Sequence, residues 1–440
     1  MCIRDSVITD ETREKLEALA RTEKAFSGSR MLIMLGNNIV YSFIMIMIFV
    51  LAKFITPLVY NNLKKFAILV GGTVTTFLLY DLAWKIDFRF IPIACGIVLI
   101  QLLLGTNSAF VLLASCIILS SVLFPNNAAP TVITITGGIL TLYGTSRIQM
   151  LSDIYAPILF ALAGYVGVVL GIDLLNFKGA HELLKSLSVT GVSSVSFVFI
   201  GLGLATLFGK LLRIATKLTL VEFADPTRKI LREFAVRAPG SYNHSILVAN
   251  LAETAARAIG ANGLLARVGG YYHDIGKLKH PEYYIENQRG KKNPLDKLTP
   301  RLKRVVLRSH VLEGVKIARK EGLPEDVVDI IREHHGTILM ASIYKKGEPE
   351  SDYRYPGPIP SSKESAIVML ADSIEAKLRS LEDYSIHKLT WVIESIINAR
   401  IKEGQLANSG LTITDLEKIK ESFLPILIGI VHPRIKYPGE

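Results

Sequence analysis

At 440 residues, half of them hydrophobic and with a net charge of +11, the chain is long enough for two or three domains and too apolar for a wholly soluble protein. The apolar excess is uneven: residues up to 213 carry few charges, whereas 214–440 are rich in Lys, Arg, Glu and Asp, which reads as a membrane half joined to a soluble half. The positive charge is assigned to basic residues beside membrane spans and to a phosphate-attracting site, against a nucleic-acid polymer as partner, and the three cysteines (Cys2, Cys95, Cys116) exclude a disulfide framework and a cysteine metal site.

Met1-Cys2-Ile3-Arg4-Asp5-Ser6 does not join naturally to the residues after it and reads as a truncated or artefactual start. Residues 7–30 are polar and helix-prone, with no signal-peptide pattern. Apolar segments come next at 31–55, 66–84, 90–105, 108–124, 131–147, 153–175 and 191–213, giving seven predicted spans with six as the alternative. The third and fourth are parted only by Thr106-Asn107-Ser108, either as a tight hairpin or as one long buried element. The fifth, from Thr131 to Gly138, is β-branched and weak. Placing Lys64, Lys65, Arg147, Arg213 and Lys217 in the cytoplasm puts the soluble half there too, although Lys85, Arg89, Lys178 and Lys185 then fall outside. Only Asp81 brings a strong charge near mid-span, so a transporter is disfavoured.

From Leu218 the pattern is helical. Pro239-Gly240 breaks it before a helix carrying His244, and Asn262-Gly263 marks a turn before a helix ending near His273-Asp274. A basic loop (290–300) precedes a helix with His310, Pro324 opens the helix delivering His334-His335, and Tyr344–Ser362 is a long loop. Asp372 lies on the helix of 366–381, and a helical cap ends the chain. The predicted fold class is all-α: a polytopic helical membrane domain followed by an all-helical soluble domain.

Six of the nine histidines fall between 244 and 335. His244, His273, Asp274, His310, His334, His335 and Asp372 combine imidazole with carboxylate, the donor set of iron or manganese, and an aspartate can bridge two such ions. Adjacent residues on a helix point about 100° apart, so His334 and His335 chelate only if other helices converge on the same point. His181, His280, His387 and His432 read as ordinary core or surface residues.

This constellation resembles the HD superfamily of metal phosphohydrolases in its dinuclear form. The words Ala238-Pro239-Gly240-Ser241-Tyr242-Asn243-His244-Ser245, Tyr283-Tyr284-Ile285-Glu286-Asn287-Gln288, Glu333-His334-His335-Gly336-Thr337, Tyr355-Pro356-Gly357-Pro358, Ala371-Asp372-Ser373-Ile374-Glu375-Ala376 and His432-Pro433-Arg434-Ile435-Lys436-Tyr437-Pro438 resemble the membrane-bound seven-transmembrane HD family. The resemblance covers residues 31 to 438. It implies a bacterial phosphodiesterase that hydrolyses cyclic di-AMP to the linear dinucleotide pApA with two divalent ions, manganese or iron. It implies one ion on His244, His273, Asp274 and Asp372 and a second on Asp274, His310, His334 and His335, with Asp274 bridging and a bridging hydroxide as the attacking group. It further implies a multi-pass protein of the bacterial inner membrane with a cytoplasmic HD domain, cyclic di-AMP and the lipid bilayer as partners, and a homodimer as an open option. Family members carry an extra membrane helix and an extracytoplasmic domain before the apolar block. The expected organisation is therefore a remnant of that domain at 1–30, a transmembrane domain at 31–213, a linker at 214–240 and the HD phosphohydrolase domain at 241–440.

Lys277, three residues after the ligand pair, is expected to stabilise phosphate or protonate the leaving oxygen, and with Asp274 makes up the catalytic set. Arg308 and Arg379 are expected at the second phosphate, Asn287 and the Tyr-Pro-Gly-Pro loop at the base pocket, and Glu333 behind a metal-bound imidazole. A mononuclear nucleotidase or alarmone hydrolase would not need His310, His334 and His335. A cyclic di-GMP enzyme of the HD-GYP group would carry Gly-Tyr-Pro, where this chain has Gly336-Thr337 after His335. A nucleotide-binding receptor without turnover would be expected to have lost a ligand.

Overall fold

The computed structural model describes residues 10–431 except 88, 91, 125, 149–150, 289–291, 342, 345–347, 380 and 382–383. His432 and its closing motif therefore lie outside the described residues. The fold is all-α: among the described residues the sole β-pairing is an isolated bridge between Leu339 and Arg354. The chain divides into two units, 1–147 with 154–203 and 148–153 with 204–440.

The first unit contains α1 (Asp10–Ile55), α2 (Pro57–Tyr60), α3 (Leu63–Ile86), α4 (Ile93–Leu104), α5 (Thr106–Leu123), α6 (Ala129–Ser146), α7 (Tyr155–Leu175) and most of α8 (Ala180–Leu212). All seven expected apolar segments lie on helices. Among the described residues, four stretches are long and apolar enough to cross a membrane: Leu63–Ala83, Thr106–Leu123, Ser152–Leu175 and Ala180–Leu212; Tyr41–Ile55 and Ile93–Leu104 are shorter apolar helices. Gly105, at φ +92°, separates α4 from α5, which pack on each other, so the hairpin alternative holds. The outward surface is apolar, with Phe43, Phe54, Leu78 and Val192 exposed.

The β-branched run at 131–136 is helical, because backbone groups in apolar surroundings must bond within their own segment. The hydroxyls of Thr141 and Thr145 likewise donate to the carbonyls four residues back, at 2.7 and 2.8 Å. Small residues let α6 and α7 touch. A Cβ on Gly137 would stand 2.1 Å from the Tyr165 ring, and one on Gly164 would stand 3.0 Å from the Gly137 Cα. Gly137→Leu is therefore expected to lower the thermal midpoint of the detergent-solubilised chain, since such overpacking costs about 1–3 kcal/mol. Gly167→Leu, at a position where a Cβ meets nothing within 4 Å, is expected to leave it unchanged; equal midpoints would refute the close contact.

The second unit contains α9 (Lys217–Phe223), α10 (Lys229–Arg237), α11 (Pro239–Ala258), α12 (Gly263–Tyr272), α13 (Pro300–Lys320), α14 (Glu325–Glu333), α15 (Lys363–Leu378), α16 (Ile386–Lys402) and α17 (Ile413–Val431). α11 and α15 form its centre: Val248, Leu251 and Ala255 pack with Ile367, Leu370 and Ile374, and Leu389, Ile393 and Phe423 of α16 and α17 close that core. A second core joins Phe234, Tyr272, Ile275, Val327 and Ile331. The stretch 214–240 is not a plain linker. It forms α9 and α10, and Leu220, Phe223, Leu231 and Phe234 are buried in the second core.

Candidate metal centre

Five helices each deliver part of one buried cluster. His244 lies one turn into α11, His273 follows the last residue of α12, His310 is midway along α13, His334 and His335 follow the end of α14, and Asp372 lies on α15. Two close approaches set the register. A Cβ on Gly270 would stand 2.5 Å from the Ala249 Cα, which brings the end of α12 onto α11; a Cβ on Gly276 would stand 1.8 Å from the His310 carbonyl oxygen, which presses the turn after Asp274 onto α13.

The rings are oriented by one device used three times. The Nδ1 of His273, His310 and His334 donates to the carbonyls of Gly270, Leu307 and Ile331, each three residues back, at 2.8, 2.6 and 2.8 Å. Nε2 is thereby left as the lone-pair atom facing the centre. Asp274 Oδ2 faces one side, 3.3 Å from His273 Nε2 and 3.6 Å from His244 Nε2. Its Oδ1 faces the other, 3.5 Å from His310 Nε2 and 3.9 Å from His334 Nε2. Asp372 places Oδ1 3.0 Å from His244 Nε2 and Oδ2 3.7 Å from His335 Nδ1.

Burial pushes His310 down to about 4, His334 down to about 3, and His335 well below the usual imidazole range, so these rings are neutral donors of lone pairs. Burial acts against the charged form of His244 as well, but Asp372 and Glu375 outweigh it and raise that ring to about 9. Buried His273 Nε2 and Asp274 Oδ1 have no hydrogen-bond partner. His244, His273 and Asp274 can bring one donor atom each within 4.8 Å of one another, and so can His310, His334 and His335. Orphaned, convergent nitrogen and oxygen donors fit divalent metal, as the chemistry of the set requires.

Lys277 is not a solvated surface lysine. Its side chain is 13 % exposed, with Nζ 2.6 Å from Asp274 Oδ2 and 2.8 Å from Glu286 Oε1. Burial opposes its charge, but the two carboxylates hold it well above its ordinary value, and Glu286 in turn is drawn down to about 2 by Lys277 against its own burial. Beside the cluster is a cavity of about 400 Å³, bordered by Lys277, Tyr284, Glu286, His335, Tyr355 and Arg379 among others. Tyr355 stacks on His335 at 4.1 Å and 27°, and Tyr284 meets His310 edge-on at 5.8 Å.

Three expected roles do not match the contacts. Asn287 Oδ1 accepts the free N–H groups of Gly240 and Ser241 at 2.9 and 3.1 Å, and its Nδ2 donates to Ser241 Oγ and Pro281 O, so it caps α11 instead of facing the cavity. Arg308 does not border the cavity either, because its Nη2 donates to the backbone carbonyls of Asp352 and Arg354. Glu333 accepts from Ser361 N and Oγ and orients no imidazole. The carboxylate that does so is Glu375, whose Oε2 accepts from His244 Nδ1 at 2.5 Å and which is itself bonded to Arg379 at 3.0 and 2.8 Å. Its position three residues after Asp372, on the same helix face, was the available signal. Glu286 had no local one. His181, His280 and His387 are exposed, as expected of surface residues. Glu375→Gln is expected to weaken metal binding about 10–100-fold, the usual effect of removing such a partner. Isothermal titration of the metal-free chain with manganese checks this, and an unchanged affinity would remove Glu375 from the centre.

Residues 241–377 match the family described as "HD domain", and residues 31–216 match "7TM receptor with intracellular HD hydrolase". The chain is 36% identical over 440 residues to the cyclic-di-AMP phosphodiesterase PgpH of Bacillus subtilis (strain 168), a match covering 92% of this chain and 61% of that relative. It is 36% identical over 373 residues to the protein of the same name from Listeria monocytogenes serotype 1/2a (strain 10403S), covering 81% of this chain and 51% of the relative. The chain thus spans between half and two thirds of the length of these relatives. A crystal structure of the L. monocytogenes phosphodiesterase PgpH HD domain is 42% identical with a TM-score of 0.46, covering 47% of this chain and 100% of that one. With apolar helices in the first unit and an HD domain in the second, the chain is a membrane protein that matches the seven-transmembrane HD family over residues 31–216 and the HD domain over residues 241–377.

Proposed function

We propose that the chain is a membrane-anchored, metal-dependent phosphodiesterase that hydrolyses cyclic di-AMP to pApA, with its HD unit on the cytoplasmic side of the bacterial inner membrane. The observation that carries the reading is the placement of Asp274, whose two oxygens face separate histidine groups. His244, His273, Asp274 and Asp372 would hold one ion, and Asp274, His310, His334 and His335 the second. Manganese or iron suits these donors. Such ions, when bound, lower the pKa of water and offset charge gathering on the phosphate oxygens. The substrate is supported by the two relatives, both named cyclic-di-AMP phosphodiesterases.

Hydrolysis joins the oxygen of water to phosphorus and breaks one P–O3′ bond; the departing 3′-oxygen takes up a proton, and the second ester stays intact, giving a linear product. Lys277, an ammonium fixed between two carboxylates, is the cation beside the scissile phosphate. The carboxylates hold Nζ protonated, which favours charge stabilisation over proton donation. Arg379 borders the cavity and suits the second phosphate, while Tyr284 and Tyr355 offer aromatic surface to the bases.

The test is turnover of cyclic di-AMP by the detergent-solubilised chain loaded with manganese or iron, followed by chromatographic detection of pApA. A chelator is expected to abolish activity and added manganese to restore it. Asp274→Ala is expected to be inactive; full activity in that variant would sink the two-metal reading. Lys277→Ala is expected to lower kcat by about 10²–10³, the usual loss when a preorganised charge-stabilising group is removed. Cyclic di-GMP and an alarmone in parallel reactions decide the substrate, and no turnover of any of them would leave a receptor.

A further inference from the structure

Tyr355 is placed by its surroundings, not by its own local conformation. The segment that leaves the ligand pair through Gly336 and Thr337 pairs with the one around Tyr353: Met340 N donates to Tyr353 O at 2.8 Å, and Tyr355 N donates to Ile338 O at 3.1 Å. Arg354 Nη1 reaches back to Thr337 O at 3.0 Å. The far side of this strap is held from α13. Arg304 Nη1 donates to Asp352 O at 2.8 Å, and Arg308 Nη2 donates to Asp352 O at 3.1 Å and to Arg354 O. Arg304 and Arg308 are four residues apart and so share one face of the helix, and His310 lies half a turn beyond Arg308 on the opposite face. The same helix therefore supplies a donor to the centre and grips the backbone on either side of Tyr353, immediately before Tyr355.

We infer that Arg308 is a positioning residue for substrate recognition: by forking onto the carbonyls of Asp352 and Arg354 it fixes Tyr355 against His335 as the wall on which a substrate nucleobase packs. The chemistry favours arginine. Both bonds leave Nη2, whose two N–H groups are held at a fixed angle in the guanidinium plane, whereas the N–H groups of an ammonium rotate freely on a flexible stem and are not aimed at two carbonyls in advance. The geometry also explains why a cation next to a phosphodiesterase centre is absent from the border of its cavity. The inference rests on the proposed phosphodiesterase activity for its substrate, but the strap can be read without it.

Two measurements on the full chain in detergent decide the matter. Hydrogen exchange of the Met340 and Tyr355 amides reports the strap directly. Arg308→Ala is expected to speed exchange at both by at least about tenfold, equivalent to losing about 1.4 kcal/mol of hydrogen bonding; unchanged exchange overturns the inference. With cyclic di-AMP, Arg308→Ala is expected to raise KM about tenfold while kcat stays within about twofold, again the worth of about one lost hydrogen bond. Combined with Tyr355→Ala it is expected to add nothing further, because both changes remove the same wall. Additive effects, or a fall in kcat, mean that Arg308 touches substrate itself and overturn the positioning role. Arg308→Lys guards against a folding defect in the alanine variant. It keeps the charge but loses the fixed planar pair of N–H groups, so fast exchange is expected to persist; full rescue of KM with exchange as in the unmutated chain marks a simple charge requirement and counts against the inference. Should the unmutated chain fail to turn over cyclic di-AMP, the proposed activity falls, while the exchange measurement still decides the strap.

Discussion

Asp274 is a fully buried carboxylate ringed by imidazole nitrogens and one ammonium. Burying such a charge is unfavourable unless it is matched, and removing one partner of a buried pair is more damaging than replacing both. Lys277 and the raised His244 ring answer it with positive charge, whereas burial keeps His310, His334 and His335 neutral. The surroundings therefore offer lone pairs toward a point where Asp274 Oδ1 and His273 Nε2 lack hydrogen-bond partners. Positive charge placed there would satisfy both at once. This ties metal binding to the packing of five helices, since each contributes a donor and none can shift without changing the others.

The helix ends explain how those donors are aimed. α12 and α14 stop next to His273 and His334, where the carbonyls of the last turn have no partner further along the helix. Each ring fills that vacancy with its Nδ1 proton and turns Nε2 inward. The C-terminal end of a helix also carries partial negative charge, which suits a site that collects cations. One structural feature thus does two things: it satisfies a carbonyl and fixes the ring that a metal would need. The same geometry makes the adjacent pair His334-His335 useful, because only the first ring is committed to the helix end while the second reaches Asp372 and Tyr355.

The helices and the donor residues could be read from the chain because they depend on local pattern and on side-chain chemistry. Apolar spacing places α11 to α15, and imidazole with carboxylate is a narrow enough donor set to single out His244, His273, Asp274, His310, His334, His335 and Asp372. Polar residues with many choices of partner were not legible. Asn287 and Glu333 sit within motifs that point to the site and Arg308 lies two residues before His310, yet each is used on backbone groups brought near only by folding. Glu286 reaches Lys277 from a separate turn, and no spacing rule predicts that pairing. Residues 214–240 misled for another reason: α9 and α10 are short, and what makes them core is the partner surface that receives Leu220 and Phe234.

The two units answer opposite solvent problems with the same hydrogen-bonding logic. In the first, apolar side chains face outward and hydroxyls such as Thr141 are hidden by bonding back to their own helix, while a few polar groups such as Gln101 reach across to a neighbouring helix. In the second, the apolar residues are inside and most of the buried imidazoles and carboxylates are gathered around Asp274. A water-exposed domain can hold such a cluster only where something compensates it. Long-range pairs such as His244 with Glu375, and Ser241 with Glu286, supply part of that compensation from helices and turns far apart in sequence. The remainder is left to whatever cation the donors receive, and so the reactive centre of this fold is also a place where buried polar atoms, His273 Nε2 and Asp274 Oδ1, call for a ligand.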